Sequence, residues 1–214
     1  MSAHLPASLE SVQDADILLA RAAHDEQTVE NVCIRGADLS GTWYEGLRLR
    51  GVRLEGCRLT GCRWERADFA DVVLDDCELS GSGWRDAFFE RVELIGCKAV
   101  GADFAETGWR EVDVRDCRLS DAVVDRTRLR RVAFLSSDLT GASFCDCQWK
   151  DWTLTRTVLR SARLLHTSLA GLDLTDCVLD GIAVSDTNAE LRGAIVTMEQ
   201  AAMLAKRLGI VIKA

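Results

Sequence analysis

Proline is almost missing from this chain: Pro6 is the only one in 214 residues. Nearly every backbone N–H is therefore free to donate, which suits a long hydrogen-bonded ladder, because each proline would delete a donor. Long apolar runs are missing too. None reaches the roughly 18–20 residues of a membrane span, so no membrane association is expected. Histidine occurs three times (His4, His24, His166), never in a spacing with Cys, Ser or acid that makes a catalytic set. There is no phosphate loop, no G-x-S-x-G and no zinc motif. Positive charge is in deficit, with 26 basic against 34 acidic side chains and a net charge of -8. That argues against direct binding of nucleic acid. Met1 to Ser11 lacks the basic and apolar regions of a secretion signal. With an odd count of nine cysteines, a reducing cytoplasm is the expected home.

What is present is a period of five. Every fifth residue from Ile34 through Leu39, Tyr44 and Leu49 to Val184 is apolar, 31 positions without an insertion. At 48% apolar composition, chance gives this on the order of 10⁻¹⁰ for one phase. Two residues before each centre runs a second column, from Val32 to Ile182, uncharged and mostly small. All 47 charged residues of 31–186 fall in the other three columns. Two columns thus point inward and three outward.

Five is neither the helical period of 3.6 nor the strand period of 2. It requires a chain that turns a corner every five residues. Four such sides close a square coil of twenty, and columns at spacing twenty exist. Val32, Val52, Val72, Val92, Val112 and Val132 form one, and Cys57, Cys77, Cys97 and Cys117 another. Ten of the 13 aromatics are centres, nearly all on two of the four sides. The expected fold is an all-β solenoid of four-sided cross-section. Its 31 pentapeptides make about eight coils, a rod of about 37 Å at the inter-strand spacing. Glycine recurs in the corner column, as at Gly41 and Gly96, where it suits a tight turn.

The units Ala37-Asp38-Leu39-Ser40-Gly41, Ala67-Asp68-Phe69-Ala70-Asp71, Ala102-Asp103-Phe104-Ala105-Glu106 and Ser137-Asp138-Leu139-Thr140-Gly141 resemble the A-(D/N)-(L/F)-X-X unit of the pentapeptide-repeat family. The resemblance covers about 31–186. It implies a right-handed quadrilateral β-helix, with the hand supplied by the family alone. The chain also resembles the fluoroquinolone-resistance members. These are acidic rods, dimerised through the C-terminal end, that occupy the DNA-binding saddle of gyrase as DNA mimics. The resemblance implies a protein partner, DNA gyrase or topoisomerase IV, and a homodimer. A structural or adaptor rod with another partner is the alternative.

The expected organisation is an N-terminal helical cap over 1–30, the β-helix over 31–190 and a C-terminal helical cap over 191–214. Residues 8–23 read as a helix. After Val184 the register slips by two, to a centre at Leu191. Thr197 and Gln200 make a capping box for a helix from Met198 to Leu208, which Gly209 stops. A solenoid needs such covers over its open ends.

Seven cysteines (57, 62, 77, 97, 117, 147, 177) stand in the inward column and read as core. No disulfide, metal site or cofactor is expected, and a convex rod offers no catalytic cleft. Charge zoning carries more information. Residues 31–66 carry +3, 67–125 carry -9, 126–166 carry +5 and 167–186 carry -4. The acidic belt, a candidate partner surface, contains Asp68, Asp71, Asp75, Asp76, Glu78, Glu90, Glu93, Glu111, Asp113 and Asp116. The basic cluster Arg126, Arg128, Arg130, Arg131 and Lys150 is a candidate for an anion or for self-contact. Val158, Val178, Leu204, Leu208 and Ile210 are candidates for a dimer contact.

Overall fold

A left-handed residue at every fifth position, from Asn31 to Gly171, bends the chain. The computed structural model, which describes residues 3–212, is a parallel β-solenoid built on those bends. Many corners are not glycine. Asp71, Arg91, Glu111 and Arg131 all sit at φ between 51° and 59°, a region costly for residues with a Cβ. The repeating core holds them there.

Bridges step by twenty from Asp38 through Arg58, Glu78, Lys98, Arg118, Asp138 and Val158 to Val178. Eight rungs are joined by about 7 turns. The division of 31 pentapeptides by four counts the rungs. Two adjacent sides carry continuous eight-residue strands: β5 (Arg48–Glu55), β7 (Asp68–Asp75), β8 (Phe88–Ile95), β9 (Gly108–Arg115), β10 (Arg128–Leu135) and β11 (Gln148–Thr155). All pair parallel at an offset of twenty. The other two sides carry the short parallel pair β4 (Trp43–Glu45) and β6 (Arg63–Glu65) and otherwise single bridges.

The inward columns fill the coil. Of the 31 centres only Trp149 is not buried. Trp152 occupies the normally small second column beside it, with ring centroids 6.1 Å apart, and Trp149 is left half-buried. Aromatic centres stack in two columns. Tyr44, Trp64, Trp84 and Phe104 follow one another at 5.7, 5.4 and 6.0 Å. Phe69, Phe89 and Trp109 follow at 5.1 and 5.7 Å. Each such pair adds about 0.5–1.5 kcal/mol beyond its area burial.

The N-terminal end differs from the expected single helix over 8–23. Residues Glu10–Val12 form a strand, β1, paired with β3 (Val32–Arg35). Helix α1 spans Ala15–His24 and buries Ala15, Leu19 and Ala22. The first rung presents an unpaired ladder edge, which a strand can pair and a helix cannot. The solenoid also begins one centre early, at Val29 in β2 (Thr28–Glu30).

At the other end the two-residue slip is present: Asp173 pairs with Ile195, an offset of 22. Helix α2 spans Met198–Ala205 behind the capping box, with Gln200 N donating to Thr197 Oγ1 at 3.2 Å and Thr197 N to Gln200 Oε1 at 2.8 Å. A short 3-10 turn continues to Leu208, and Gly209 takes φ 72°. Gln200 Nε2 donates to the carbonyls of Leu174 and Cys177, both at 2.8 Å, tying the helix to the last coil.

Candidate interaction surface

Residues twenty apart share an outward column on successive rungs, so their side chains meet about 4.8 Å apart. One corner column reads Asp71, Arg91, Glu111, Arg131. Arg91 donates to both Asp71 oxygens, at 2.7 and 2.8 Å, the bidentate geometry that suits a guanidinium and a carboxylate. Arg131 pairs with Glu111. The neighbouring column pairs Arg110 with Glu90, which also accepts from Arg91 at 2.6 Å. Arg115 bonds Asp113 at 2.8 Å and lies 3.9 Å from Glu93. Arg53 pairs with Asp75, and Lys98 with Glu78 at 2.9 Å.

Most of the belt is therefore paired with cations along the rod. Of its ten carboxylates only Asp68, Asp76 and Asp116 make no ion pair among the described residues. The Arg91 guanidinium holds the Asp71 carboxyl below its usual range, and Arg131 does the same for Glu111. Burial opposes ionisation of Glu78, but the Ser80 and Lys98 bonds win and its pKa falls. The N-terminal segment covers part of the belt. Ser11 pairs with Cys33, His4 N donates to Asp71 at 3.0 Å and Ala3 N to Glu93 at 2.8 Å. Cys33, Val73 and Glu93, all in one outward column, are buried.

The zone totals hid this pairing, although the alternation of sign at spacing twenty was written in the sequence. The strap had no such signal, because it bonds through backbone N–H groups.

Three of the core thiols are held neutral by burial. Burial pushes Cys62 and Cys147 up to about 12 and Cys177 to about 11, so each stays a neutral thiol at physiological pH. All nine cysteines are free. Among the described residues no group of three or more His, Cys, Asp or Glu is arranged to hold a metal ion. No helix there is long and apolar enough to cross a membrane.

The basic cluster divides into two kinds. Arg126 bonds Glu106 at 2.7–2.8 Å and Arg131 bonds Glu111. Arg128, Arg130 and Lys150 are exposed and make no ion pair among the described residues. Lys150 stacks on Arg130, one rung above it. Arg128 and Arg130 border a surface hollow of about 540 Å³ over Gly108, with Phe88 on its other side.

Of the dimer candidates, Val158 and Val178 are stacked and half-buried on a lateral column. Leu204 packs against the core. Ile210 is exposed. The side chain of Leu208 lies outside the described residues. The exposed apolar set at this end also includes Ile195, Met198, Val211 and Ile212, with Met198 88% and Val211 85% exposed.

Two family models match the chain: "Pentapeptide repeat region" over residues 87–164 and "Pentapeptide repeats (8 copies)" over 48–82. Together they cover more than half of it. Similar solved structures include the plasmid-mediated fluoroquinolone resistance protein QnrB1, at 21% identity and TM-score 0.41 over 97% of this chain and 99% of that one. HetL, a pentapeptide repeat protein involved in heterocyst differentiation regulation from the cyanobacterium Nostoc sp. strain PCC 7120, is 18% identical at TM-score 0.41, over 86% and 97%. A pentapeptide repeat protein of the Arabidopsis thaliana thylakoid lumen is 20% identical at TM-score 0.30, over 55% and 68%. No curated protein sequence matches the chain.

Proposed function

Because this chain belongs to the pentapeptide-repeat family, we propose that it is a non-catalytic, cytoplasmic protein-interaction rod that pairs with a second copy through its C-terminal end. The observation that carries this reading is the apolar set left exposed where the coil stops: Ile195, Met198, Ile210, Val211 and Ile212. Exposed apolar side chains gathered at one place mark a contact surface. A two-fold axis there would set two rods end to end. The partner contact then centres on Met198, Ile210 and Val211, since Leu204 is already spent on the core.

A DNA mimic of gyrase or topoisomerase IV needs negative charge along the rod. The acidic balance favours it, but seven of the ten belt carboxylates are paired with arginine or lysine. That pairing favours the scaffold or adaptor reading, with another protein as partner.

Two measurements test this. Sedimentation equilibrium is expected to give a dimer that Met198→Glu with Val211→Asp converts to monomer; a wild-type monomer up to high micromolar concentration would remove self-association. Titration into a gyrase supercoiling assay, with and without a fluoroquinolone, is expected to change nothing. Inhibition or drug protection that weakens on charge reversal at Asp75, Asp76 and Glu78 would make DNA mimicry the function instead.

A further inference from the structure

Fourteen of the sixteen glycines take positive φ, where the backbone itself asks for glycine; Gly83 and Gly108 do not. Gly108 opens strand β9, where its extended backbone would accept any residue and glycine weakens the strand. What it provides is space. A Cβ there would lie 2.7 Å from Cδ2 of Phe88, the residue one rung below. The Phe88 ring therefore lies across the glycine, yet it remains 39% exposed. Gly83, by contrast, is overlaid by the Arg63 side chain.

Above this aromatic floor stands Arg128, the next residue of the same column, with Arg130 beside it. Neither has an acid partner among the described residues. Arg110, on the same rim, gives one nitrogen to Glu90, but its Nε is buried with no acceptor. Asp86 and Glu106 stand on the rim too, and Glu106 is neutralised by Arg126. The hollow, at about 540 Å³, falls in the range of small-molecule sites.

We propose that this hollow binds a ring-bearing organic anion of the aryl carboxylate or aryl sulfonate class. Its ring rests on Phe88 over Gly108, and its acid group is held by Arg128 and Arg130. The aromatic floor supplies apolar area and the planar guanidinium groups supply both stacking and bidentate donors. The site is independent of the C-terminal pairing surface and of the partner's identity.

The test uses the full chain and 8-anilino-1-naphthalenesulfonate as the probe, followed by fluorescence and calorimetry. One site per chain is expected. Arg128→Gln with Arg130→Gln should weaken binding at least tenfold, and Gly108→Val, which displaces the Phe88 ring, should do the same. The arginine variants change exposed side chains, so they report on the site even if Gly108→Val fails to fold. N-phenyl-1-naphthylamine, the same rings without the sulfonate, should bind at least tenfold more weakly. Met198→Glu with Val211→Asp should leave the affinity unchanged. Equal binding of the neutral amine, affinity untouched by the two arginine changes, or loss of binding in the C-terminal variant would each overturn the assignment.

Discussion

The middle coils and the C-terminal end satisfy the same backbone in different ways. In the middle, each ladder N–H meets a carbonyl of a neighbouring rung: Leu119 N donates to Asp138 O at 2.7 Å and Asp146 N to Leu165 O at 2.9 Å, both on the rung above, while Arg118 N donates to Cys97 O at 2.9 Å on the rung below. At the end no next rung is in register, and side chains stand in for it. His166 N, one rung above Asp146, donates instead to Glu190 Oε1 at 2.8 Å. The other oxygen of Glu190 accepts from Ser185 N at 3.2 Å and Ser185 Oγ at 2.8 Å. Glu190 is buried, 4% exposed. A repeat can propagate itself by a code, but it can end only by individual contacts.

The largest effect expected from breaking this comparison is in the middle. Leu119 is fully buried, and Leu119→Asp should unfold the rod, since an unpaired buried charge costs several kcal/mol (about 3 or more). Asp121→Asn, two residues away on an exposed left-handed corner at φ 58°, should stay within about 0.5 kcal/mol. Urea titration of the pair checks both; equal destabilisation would undo the inward and outward assignment.

At the end, Glu190→Leu strands the N–H groups of His166 and Ser185 and should cost about 2 kcal/mol. The loss should be local. Hydrogen exchange should rise at 166 and 185 while Leu119 stays protected, whereas uniform exchange would mean that the end is no separate unit.

Acid titrates both regions together. Asp71 and Glu111 are held below their usual range by Arg91 and Arg131. For Glu190 burial pushes the other way, but backbone N–H groups and Ser185 prevail and its pKa is lowered. A depressed folded pKa means stability that is complete above the unfolded value and is lost as pH falls through the folded one. The melting temperature should hold from pH 7 downward and drop below about pH 4, where ordinary carboxylates titrate. Glu190→Leu should flatten part of that drop.

The smallest effect belongs to the ladder. Glu111→Gln, which breaks the Arg131 pair at a partly exposed corner, should cost less than about 1 kcal/mol. A larger loss would show that the charge columns hold the coils together rather than merely neutralising them.

Most of the coil was readable from residue order. The centres, the small column, the twenty-residue stacking and the slip before Leu191 follow from counting, because each rung repeats the environment of the last. The departures arise where that repetition stops. Trp152 in the small column left Trp149 only half-buried. Residues 10–12 became a strand because an open ladder edge demanded pairing. The hollow at Gly108 needed the Phe88 ring laid across it, which a tally of apolar outward residues does not contain.

Sequence by itself determined the solenoid, its core, its charge columns and the helix behind Thr197, since each depends on spacing along the chain. Tertiary structure alone decided that residues 3–11 strap part of the acidic belt. It also decided that Glu190 closes the ladder and that Phe88, Gly108 and two unpaired arginines share one hollow. Those outcomes depend on which side chains and backbone groups meet across rungs and at the ends, where residues distant in sequence or outside the repeat come together.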